Sequence, residues 1–220
     1  RDHPPYMTKL CIFDLDGTLL NTLNDLAAST NYALRQFAMP EHDIDSIRRF
    51  VGNGVRLLVE RAIPDGARNP QFEECFATFR KHYMEHSLDT TVPYEGISAL
   101  IHALSQRGNN MAVVSNKFYA ATRELVAHFF PEIPVAVGEH EAEGIRKKPA
   151  PDTVEEALRL LGVGKDDAVY VGDSDVDLAT ARNSGLPCIS VLWGFRDRDF
   201  LIEHGATTFV NHPMEIIAED

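Results

Sequence analysis

The chain has 220 residues, of which 44% are hydrophobic and 25% are charged, and its formal net charge is −12. This length accommodates a globular domain of moderate size together with a second, smaller unit. The acidic balance argues against a nucleic acid or an anionic membrane as partner, because both favour basic patches. Because the protein is negatively charged, it repels a phosphate-bearing ligand unless a local cation offsets that repulsion.

The cysteines and the amino terminus indicate the compartment. Cys11, Cys75 and Cys188 show no paired spacing, which favours a reducing environment. The first six residues contain two prolines and no long apolar stretch, so we expect no signal peptide. No apolar run approaches the length that spans a bilayer. We therefore expect a soluble, cytoplasmic protein.

The first part of the chain predicts one strand followed by helices. Residues 9–13 form a short apolar run that is typical of a buried strand. From residue 23 to residue 88 the apolar positions follow helical spacing, and turn signals separate the helices. The predicted helices span residues 24–38, 44–50, 55–63 and 70–87. Four helices without a strand, inserted after the first strand, predict a small all-helical cap domain over residues 21–90.

Strands and helices alternate in the rest of the chain. The predicted strands span residues 111–114, 135–137, 168–171, 188–192 and 207–210. The predicted helices span residues 96–105, 120–128, 153–161 and 177–183, and a last helix begins at residue 213. This alternation predicts a parallel sheet with right-handed crossovers. The expected fold is therefore α/β, with a Rossmann-like three-layer core domain formed by residues 1–20 and 91–220.

Two carboxylates follow the first predicted strand directly. Asp14 and Asp16 stand at its carboxyl end, and Gly17 permits a turn there. Acidic side chains held together resist ionisation unless a cation compensates them. Strand carboxyl ends are also where α/β proteins place their ligands. On its own, however, the motif is equally compatible with a plain turn, since Asp and Gly favour turns.

Polar residues stand at three further places of the same kind. Ser115 and Asn116 follow a strand, Lys148 lies in a loop before a helix, and Asp173 and Asp177 follow another strand. Taken singly, these residues could cap helices, belong to a solvated basic run or form a capped loop. The shared placement favours a common site, because strand ends of a parallel sheet meet at one edge.

Phosphoryl transfer is the chemistry that these residue types permit. Mg²⁺ prefers hard oxygen ligands, which Asp14, the backbone carbonyl of Asp16 and Asp173 could supply. Asp14 could attack phosphorus as the nucleophile. Asp16 could protonate the leaving group and then activate water. Lys148 could offset charge on the phosphoryl oxygens, where electrostatic stabilisation matters most.

Supporting roles fall to neighbouring residues. The Ser115 hydroxyl and the amide of Asn116 could hold a phosphoryl oxygen, and we assign Thr18 to phosphate binding as well. Asp177 stands one helical turn after Asp173. We expect Asp177 to support the metal by anchoring its waters, or to anchor Lys148, rather than to bind the metal directly.

One segment of the predicted cap is a candidate for anion binding. Gly52-Asn53-Gly54 opens a helix whose amides could face an anion. A tight link between two helices explains the same residues equally well. Arg48, Arg49 and Arg56 lie close by in sequence and could meet a substrate carboxylate, although exposed arginines need no such role.

At this point the chain resembles the haloacid dehalogenase-like hydrolases. The resemblance covers nearly the whole chain and rests on four motifs in the order of the family: Asp14-Leu15-Asp16-Gly17-Thr18, Val114-Ser115-Asn116, Lys148-Pro149-Ala150-Pro151-Asp152 and Gly172-Asp173-Ser174-x-x-Asp177. It implies Asp14 as nucleophile, Asp16 as acid and base, and Mg²⁺ bound through Asp14, Asp16 and Asp173. The helical segment after the first motif resembles the C1-type cap of the family.

Within the family, the chain is similar to bacterial phosphoglycolate phosphatases. Residues 50–62 resemble their cap segment, and Trp193-Gly194-Phe195 with His204-Gly205-Ala206 resembles their carboxyl-terminal region. The resemblance implies a phosphatase for a small phosphorylated metabolite, with 2-phosphoglycolate as the first expectation. Pyrophosphatases and sugar-phosphate phosphatases share similar pieces and stay open as alternatives.

Two further relatives set limits on the activity. The dehalogenases of the family lack the second aspartate of the first motif, so Asp16 favours phosphate esters. A phosphosugar mutase of the β-phosphoglucomutase type would share the core and the cap, but such mutases often carry Val where Thr18 stands. A phosphate-sensing module without activity would be supported by the loss of an acid or the lysine, and none is lost. The sequence predicts no oligomeric state.

Overall fold

The computed structural model describes residues 10–217. The expectations that concern residues 1–9, namely the absence of a signal peptide and the start of the first strand at residue 9, lie outside the described residues.

A six-stranded sheet forms the centre of the protein. The strands of the protein, in chain order, are β1 (Leu10–Phe13), β2 (Leu20–Asn21), β3 (Val92–Pro93), β4 (Asn110–Phe118), β5 (Val135–Glu139), β6 (Ala168–Gly172), β7 (Cys188–Val191) and β8 (Phe209–Val210). The main sheet has the order β5-β4-β1-β6-β7-β8, and all its strands pair in parallel. Strand β1 therefore lies at the centre, between β4 and β6.

Helices cover both faces of this sheet. The helices are α1 (Leu23–Gln36), α2 (Ile44–Phe50), α3 (Val55–Ala62), α4 (Phe72–His86), α5 (Ile97–Gln106), α6 (Tyr119–Phe129), α7 (Asp152–Leu161), α8 (Asp175–Ser184) and α9 (Arg198–Glu203). Helices α5 and α6 pack on one face, and α7 and α8 pack on the other. The predicted α/β three-layer core is confirmed.

The alternation of side chains in β1 explains why both faces need cover. Cys11 and Phe13 point into the cluster beneath α5 and α6, whereas Leu10 and Ile12 point into the cluster beneath α7 and α8. Successive strand residues face opposite sides of a sheet, so an entirely apolar strand must be buried on both. All four residues are at most 2% exposed.

Helices α1 to α4 form a second unit, which we call the helical insertion (residues 21–90). They pack around an apolar cluster to which Phe118 of β4 and Phe195 of the core also contribute, and in which α4 buries the rings of Phe72, Phe79 and Tyr83. The rings of Phe79 and Tyr83 stack with centroids 5.8 Å apart. Burial of such rings accounts for much of the stability of a small helical unit.

The chain enters and leaves the helical insertion through a narrow base. Strands β2 and β3 pair there as a two-stranded antiparallel ribbon. Asp25 of α1 accepts hydrogen bonds from the backbone N–H and the hydroxyl of both Thr90 and Thr91. Asp25 therefore ties the first helix of the insertion to the segment by which the chain returns to the core.

Several sequence-based boundaries were wrong. The ribbon of β2 and β3 and the short helix α9 were not predicted, and the expected last helix is a single 3₁₀ turn over Pro213–Ile216 within the described residues. Strand β4 continues to Phe118 beyond the predicted end at residue 114, with a shift of register between Val114 and Phe118. The polar residues of this extension are typical of a loop, but here they are buried.

Residues 10–217 contain no helix that is both long enough and apolar enough to cross a membrane.

Candidate active site

The sheet topology brings the polar strand ends together. Phe13, the last residue of β1, pairs with Val113 of β4 and with Val171 of β6. The residues that follow these three positions therefore lie side by side at one edge of the sheet. Asp14, Ser115 and Asp173 reach this edge from three different parts of the sequence.

Three carboxylates meet at this edge. One carboxylate oxygen from each of Asp14, Asp173 and Asp177 lies within 4.8 Å of the others. Burial and the charge of Asp177 raise the pKa of Asp14 well above its usual value. The same two causes raise the pKa of Asp173 to about 7. Two of the three acids thus resist ionisation until a cation compensates them.

The third acid, Asp177, is already fully bonded. Its Oδ1 accepts from Lys148 at 3.0 Å and from the Tyr170 hydroxyl at 2.6 Å. Its Oδ2 accepts from the backbone N–H groups of Asp173 and Ser174 and closes a capping box at the start of α8. Burial alone would raise the pKa of Asp177, but Lys148 and Tyr170 outweigh it and hold this pKa below its usual value.

Lys148 links the acids to the core. Its side chain is 3% exposed, and its Nζ donates to Asp14 Oδ1 at 3.0 Å, to Asp177 and to the carbonyl of Val114. Burial would lower the pKa of Lys148, but Asp14 and Asp177 raise it, so the ammonium stays charged. The alternative that Lys148 belongs to a solvated basic run is wrong.

The donor set fits a hard divalent cation. Asp14 and Asp173 offer carboxylate oxygens at one place, and the raised pKa of each acid reports negative charge that the protein alone does not compensate. Such oxygen ligands are those that Mg²⁺ prefers. Asp177 lies close enough to join them, but its oxygens are taken by Lys148, Tyr170 and the backbone.

Asp16 occupies a different environment from Asp14. Its Oδ1 accepts from the Thr22 hydroxyl at 2.5 Å and lies 2.9 Å from the Nζ of Lys117. No hydrogen bond from the described residues reaches its Oδ2, and Asp16 lines the cavity above the acids. One oxygen of the Asp16 carboxylate is therefore held by Thr22 and Lys117, and the other accepts no hydrogen bond from the described residues.

Lys117 is a functional candidate that sequence reasoning missed. Its side chain is 1% exposed, and its Nζ contacts both Asp16 and the Tyr83 hydroxyl, which belongs to α4 of the helical insertion. Burial would lower the pKa of Lys117, but the charge of Asp16 raises it. Its position directly after Asn116 was the available signal, and its burial beneath the insertion was not visible in the sequence.

Ser115 and Asn116 have separate surroundings. Both line the cavity, and the Ser115 Oγ accepts from the backbone N–H of Lys117. The Asn116 side chain bonds the backbone N–H and the carbonyl of Lys148 at 2.8 and 2.9 Å, so it positions the lysine loop. The alternative of helix capping is wrong, because Phe118 occupies the cap position of α6.

Gly17 and Thr18 support the acids from below. Gly17 has a φ of +83°, and a Cβ there would lie 2.3 Å from Asp173 Oδ2, so only glycine fits this turn. Thr18 is fully buried and donates its hydroxyl to Asp173 Oδ1 at 3.1 Å. Thr18 is not among the residues that line the cavity, and its assignment to phosphate binding stays a prediction. Its hydroxyl holds the Asp173 carboxylate in place.

The helical insertion closes a small cavity over these residues. The free space is only about 40 Å³, which is room for a few water-sized groups, since one water needs about 10–15 Å³ on this measure. The wall opposite the acids is aliphatic and consists of Leu26, Val51, Val55 and Leu58. The acids and this apolar wall therefore face each other across a space that holds only a few water-sized groups.

The segment Gly52-Asn53-Gly54 divides between two cavities. Gly52 and Gly54 line the cavity above the acids, whereas Asn53 faces a second, outer cavity and accepts from Arg61. Gly54 has a φ of +95° at the cap position of α3, and a Cβ there would lie 3.3 Å from the carbonyl of Asn116. The Asn53 side chain is thus not placed for the predicted phosphate contact.

Arg56 is also not placed for substrate. It forms an ion pair with Glu73 and lies over the rings of Phe72 and Phe76, outside both cavities.

Comparison with known proteins agrees with this architecture. A family model described as haloacid dehalogenase-like hydrolase matches residues 11–191. A phosphoglycolate phosphatase of Aquifex aeolicus is 33% identical over 189 residues, covering 85% of this chain and 86% of that protein. A phosphoglycolate phosphatase of Rhodospirillum rubrum is 34% identical over 199 residues, covering 86% and 81%.

A solved structure from Lactobacillus delbrueckii subsp. bulgaricus has the same fold. It superposes with a TM-score of 0.89 at 37% sequence identity, covering 96% of this chain and 98% of that one. The family model and these relatives span most of the chain, so the predicted resemblance is confirmed. The chain belongs to the haloacid dehalogenase-like hydrolase family.

Proposed function

We propose that the protein is an Mg²⁺-dependent phosphomonoesterase that hydrolyses a small phosphorylated metabolite, with 2-phosphoglycolate as the first candidate. The observation that carries this proposal is the contact between partly buried Asp14 and buried Lys148, beside Asp173 at the carboxyl edge of the sheet. The names of the relatives from Aquifex aeolicus and Rhodospirillum rubrum supply the candidate substrate.

In the first step, a carboxylate oxygen of Asp14 attacks phosphorus. The new bond joins that oxygen to phosphorus, and the bond from phosphorus to the ester oxygen breaks. Asp16 gives its proton to the departing oxygen, which leaves as an alcohol. Lys148 balances negative charge at Asp14 and at the phosphoryl oxygens. The product of this step is a phosphorylated Asp14.

In the second step, a water molecule attacks the phosphorylated Asp14. Asp16 takes the proton of that water, the bond between Asp14 and phosphorus breaks, and inorganic phosphate forms. The one acid thus acts first as donor and then as acceptor, which requires Oδ2 of Asp16 to face the cavity. Asp14, Asp173 and the carbonyl of Asp16 would hold Mg²⁺, which would supply positive charge for the phosphoryl oxygens.

The helical insertion acts as a lid in this proposal. The closed cavity is too small to be entered without movement, and closure keeps bulk water from the phosphorylated Asp14. Gly54 touches the cavity from the lid side. Substitution of Gly54 by Ala should therefore change the ranking of substrates, and a ranking identical to that of the wild type would show that the segment is only structural.

A panel of phosphate esters tests the activity. Phosphate release is measured with Mg²⁺ for 2-phosphoglycolate, p-nitrophenyl phosphate, pyrophosphate and sugar phosphates, and is reported as kcat/KM. The proposal expects release from several esters, with 2-phosphoglycolate at least tenfold above the others. Conversion of a sugar phosphate that needs a bisphosphate activator and releases no phosphate would identify a mutase instead.

The metal assignment has its own test. We expect Asp173→Ala to lose most activity and its dependence on Mg²⁺ concentration. Thermal unfolding gives a second readout, because a ligand that binds only the folded state raises Tm. Mg²⁺ should raise the Tm of the wild type and not that of the variant. Equal shifts in both proteins would exclude Asp173 as a ligand.

A further inference from the structure

A cluster of arginines lies beside the active site in a strongly acidic protein. The outer cavity at the seam between the helical insertion and the core has a volume of about 530 Å³. We call this cavity the arginine pocket, because four arginines line it: Arg48, Arg49, Arg61 and Arg196. The acids that line it are Asp175 and Asp197, so the pocket is locally positive although the chain carries −12.

These four guanidinium groups form no ion pair with a carboxylate of the described residues, although Arg49, after the hydrogen bonds from Ser46, contributes to the lowered pKa of Asp43. Arg49 donates to the Ser46 hydroxyl, Arg61 donates to the Phe50 carbonyl, and Arg196 donates to the carbonyls of Arg48 and Val51. Elsewhere the chain does pair arginines with carboxylates, as in the ion pairs Arg35–Glu41, Arg56–Glu73, Arg146–Asp152 and Arg159–Glu156. Other arginines, such as Arg68 and Arg107, also form no ion pair within the described part of the chain, but they line neither cavity; the four arginines of the pocket differ in lining one cavity together.

A structural role accounts for only part of the cluster. Arg61 and Arg196 bind carbonyls at the end of α2, where a helix dipole attracts cations. The guanidinium groups of Arg48 and Arg49 are not used for this purpose. Arg49 is exposed and Arg48 is half-buried, so both reach the solvent that a ligand would cross.

The pocket lies next to the catalytic cavity. Phe195 and Arg196 line both the space above the acids and the arginine pocket. An anion held by the arginines therefore lies one side chain away from the catalytic cavity. Positive clefts raise the local concentration of anionic ligands, and guanidinium groups match the geometry of phosphate and carboxylate oxygens.

We propose that the arginine pocket is an anion-binding site that captures small phosphate esters, in particular those with a second anionic group, before they enter the catalytic cavity. The inference rests on the proposed phosphatase function, since the captured ligand is the substrate. It explains how an acidic protein attracts a dianion, and it assigns a role to Arg48 and Arg49 outside the catalytic machinery.

The test compares two double variants that remove the same charge. Arg48→Gln/Arg49→Gln alters the pocket, whereas Arg68→Gln/Arg107→Gln removes two exposed arginines that line neither cavity. For each protein, kcat/KM for 2-phosphoglycolate is measured from low to high NaCl concentration. Screening shortens electrostatic interactions to a few ångströms near 1 M salt.

We expect the pocket variant to lose about five- to tenfold in kcat/KM at low salt, through KM with kcat unchanged, as charged steering of this kind predicts. The loss should shrink as salt rises, and the control variant should follow the wild type. Loss of kcat/KM should also be smaller for p-nitrophenyl phosphate, whose leaving group carries no carboxylate. If the double variant does not fold, exposed Arg49→Gln alone serves as the test.

Equal salt dependence of the two double variants in an active enzyme would overturn the arginine pocket and leave the phosphatase proposal standing. A wild type that releases phosphate from no ester would instead overturn the proposed function. In that case calorimetric titration with inorganic phosphate still decides on the pocket. Weaker binding by Arg48→Gln/Arg49→Gln than by the control supports the site, and equal binding overturns it.

Discussion

Two buried lysines contact the two aspartates of the first motif. The residues around each lysine come from different parts of the molecule. Lys148 contacts Asp14, Tyr170 and Asp177, which all belong to the core domain. We call these four residues the core centre. Lys117 contacts Asp16 and the hydroxyl of Tyr83, and Thr22 donates to the same Asp16 carboxylate. We call Asp16, Thr22, Lys117 and Tyr83 the seam centre.

The difference between these centres separates two tasks. The core centre is formed by the residue after β1, by Tyr170 within β6, by the loop that carries Lys148 and by the first turns of α8, so none of its residues belongs to the helical insertion. The seam centre includes Tyr83 of α4, so the surroundings of Asp16 change when the insertion moves. In the proposed mechanism the nucleophile Asp14 is therefore held by the core alone, whereas the surroundings of Asp16, the proposed acid and base, would be completed by closure of the insertion.

Removal of the core lysine should have the largest effect. Lys148→Met leaves Asp14 and Asp177 buried without their cation, and we expect kcat to fall by about 10²–10³, as for the loss of one electrostatic donor. The matched control is Lys147→Met, which changes the same charge at the adjacent residue. A Lys148→Met enzyme with near wild-type kcat would show that the core centre is not catalytic.

Removal of the seam lysine should cost less and depend on the substrate. Lys117→Met should lower kcat by about a hundredfold on an alkyl phosphate, the low end of the range for general acid catalysis. On p-nitrophenyl phosphate the loss should be much smaller, because this leaving group needs no proton. Equal losses on both substrates would contradict a role of Lys117 through Asp16.

The base of the helical insertion should show a pH-dependent stability. Burial would raise the pKa of Asp25, but its hydrogen bonds from Thr90 and Thr91 outweigh burial and hold this pKa below the ordinary 3.8. The stabilising effect is therefore complete above pH 3.8 and is lost as the pH falls through the lower folded value. We expect Asp25→Asn to lower the free energy of unfolding by about 2 kcal/mol at pH 7.

Denaturant titrations at several pH values check this expectation. The difference between wild type and Asp25→Asn should shrink in acid, while exposed Asp166→Asn should stay near wild type throughout. A difference that is constant from pH 7 to acid would mean that the charge of Asp25 does not contribute.

The smallest expected effect concerns the hydroxyl that links the seam centre to the lid. Tyr83→Phe keeps the stacked ring and removes the group that Lys117 contacts, so we expect a loss of about two- to tenfold in kcat on an alkyl phosphate, the value of one hydrogen bond. Tyr119→Phe, in the core, is the control. If Tyr83→Phe has no effect, the seam centre does not depend on the insertion.

The sequence predicted the α/β core because its elements are signalled locally. The apolar strands and the amphipathic helices reveal their own period, and motif residues after strands imply a shared edge. The seam centre could not be predicted in this way. From the sequence, Lys117 would be expected to be an exposed residue after Asn116. It is buried with Tyr83 because α4 packs against β4, and the sequence does not show that packing.

The same limit explains the misplaced side chains. Asp16, Gly52 and Gly54 line the cavity above the acids. Thr18 stands two residues after Asp16, and Asn53 stands between the two glycines. The Thr18 hydroxyl nevertheless bonds Asp173, and the Asn53 side chain faces the outer cavity and Arg61. Side-chain direction in a turn depends on local backbone geometry rather than on residue type. The ribbon of β2 and β3 was missed because two residues per strand are too few to show alternation.

The central claim is that Asp14 forms a covalent bond to phosphorus, and chemical trapping tests it most directly. The enzyme is mixed with 2-phosphoglycolate and Mg²⁺, treated with borohydride during turnover, and digested for mass mapping of the peptide that contains Asp14 and Asp16. The account predicts reduction of Asp14, and no other acid, to homoserine, with no reduction in Asp14→Asn or without substrate. Steady phosphate release with Asp14 unmodified, or with the modification on Asp16, would contradict it.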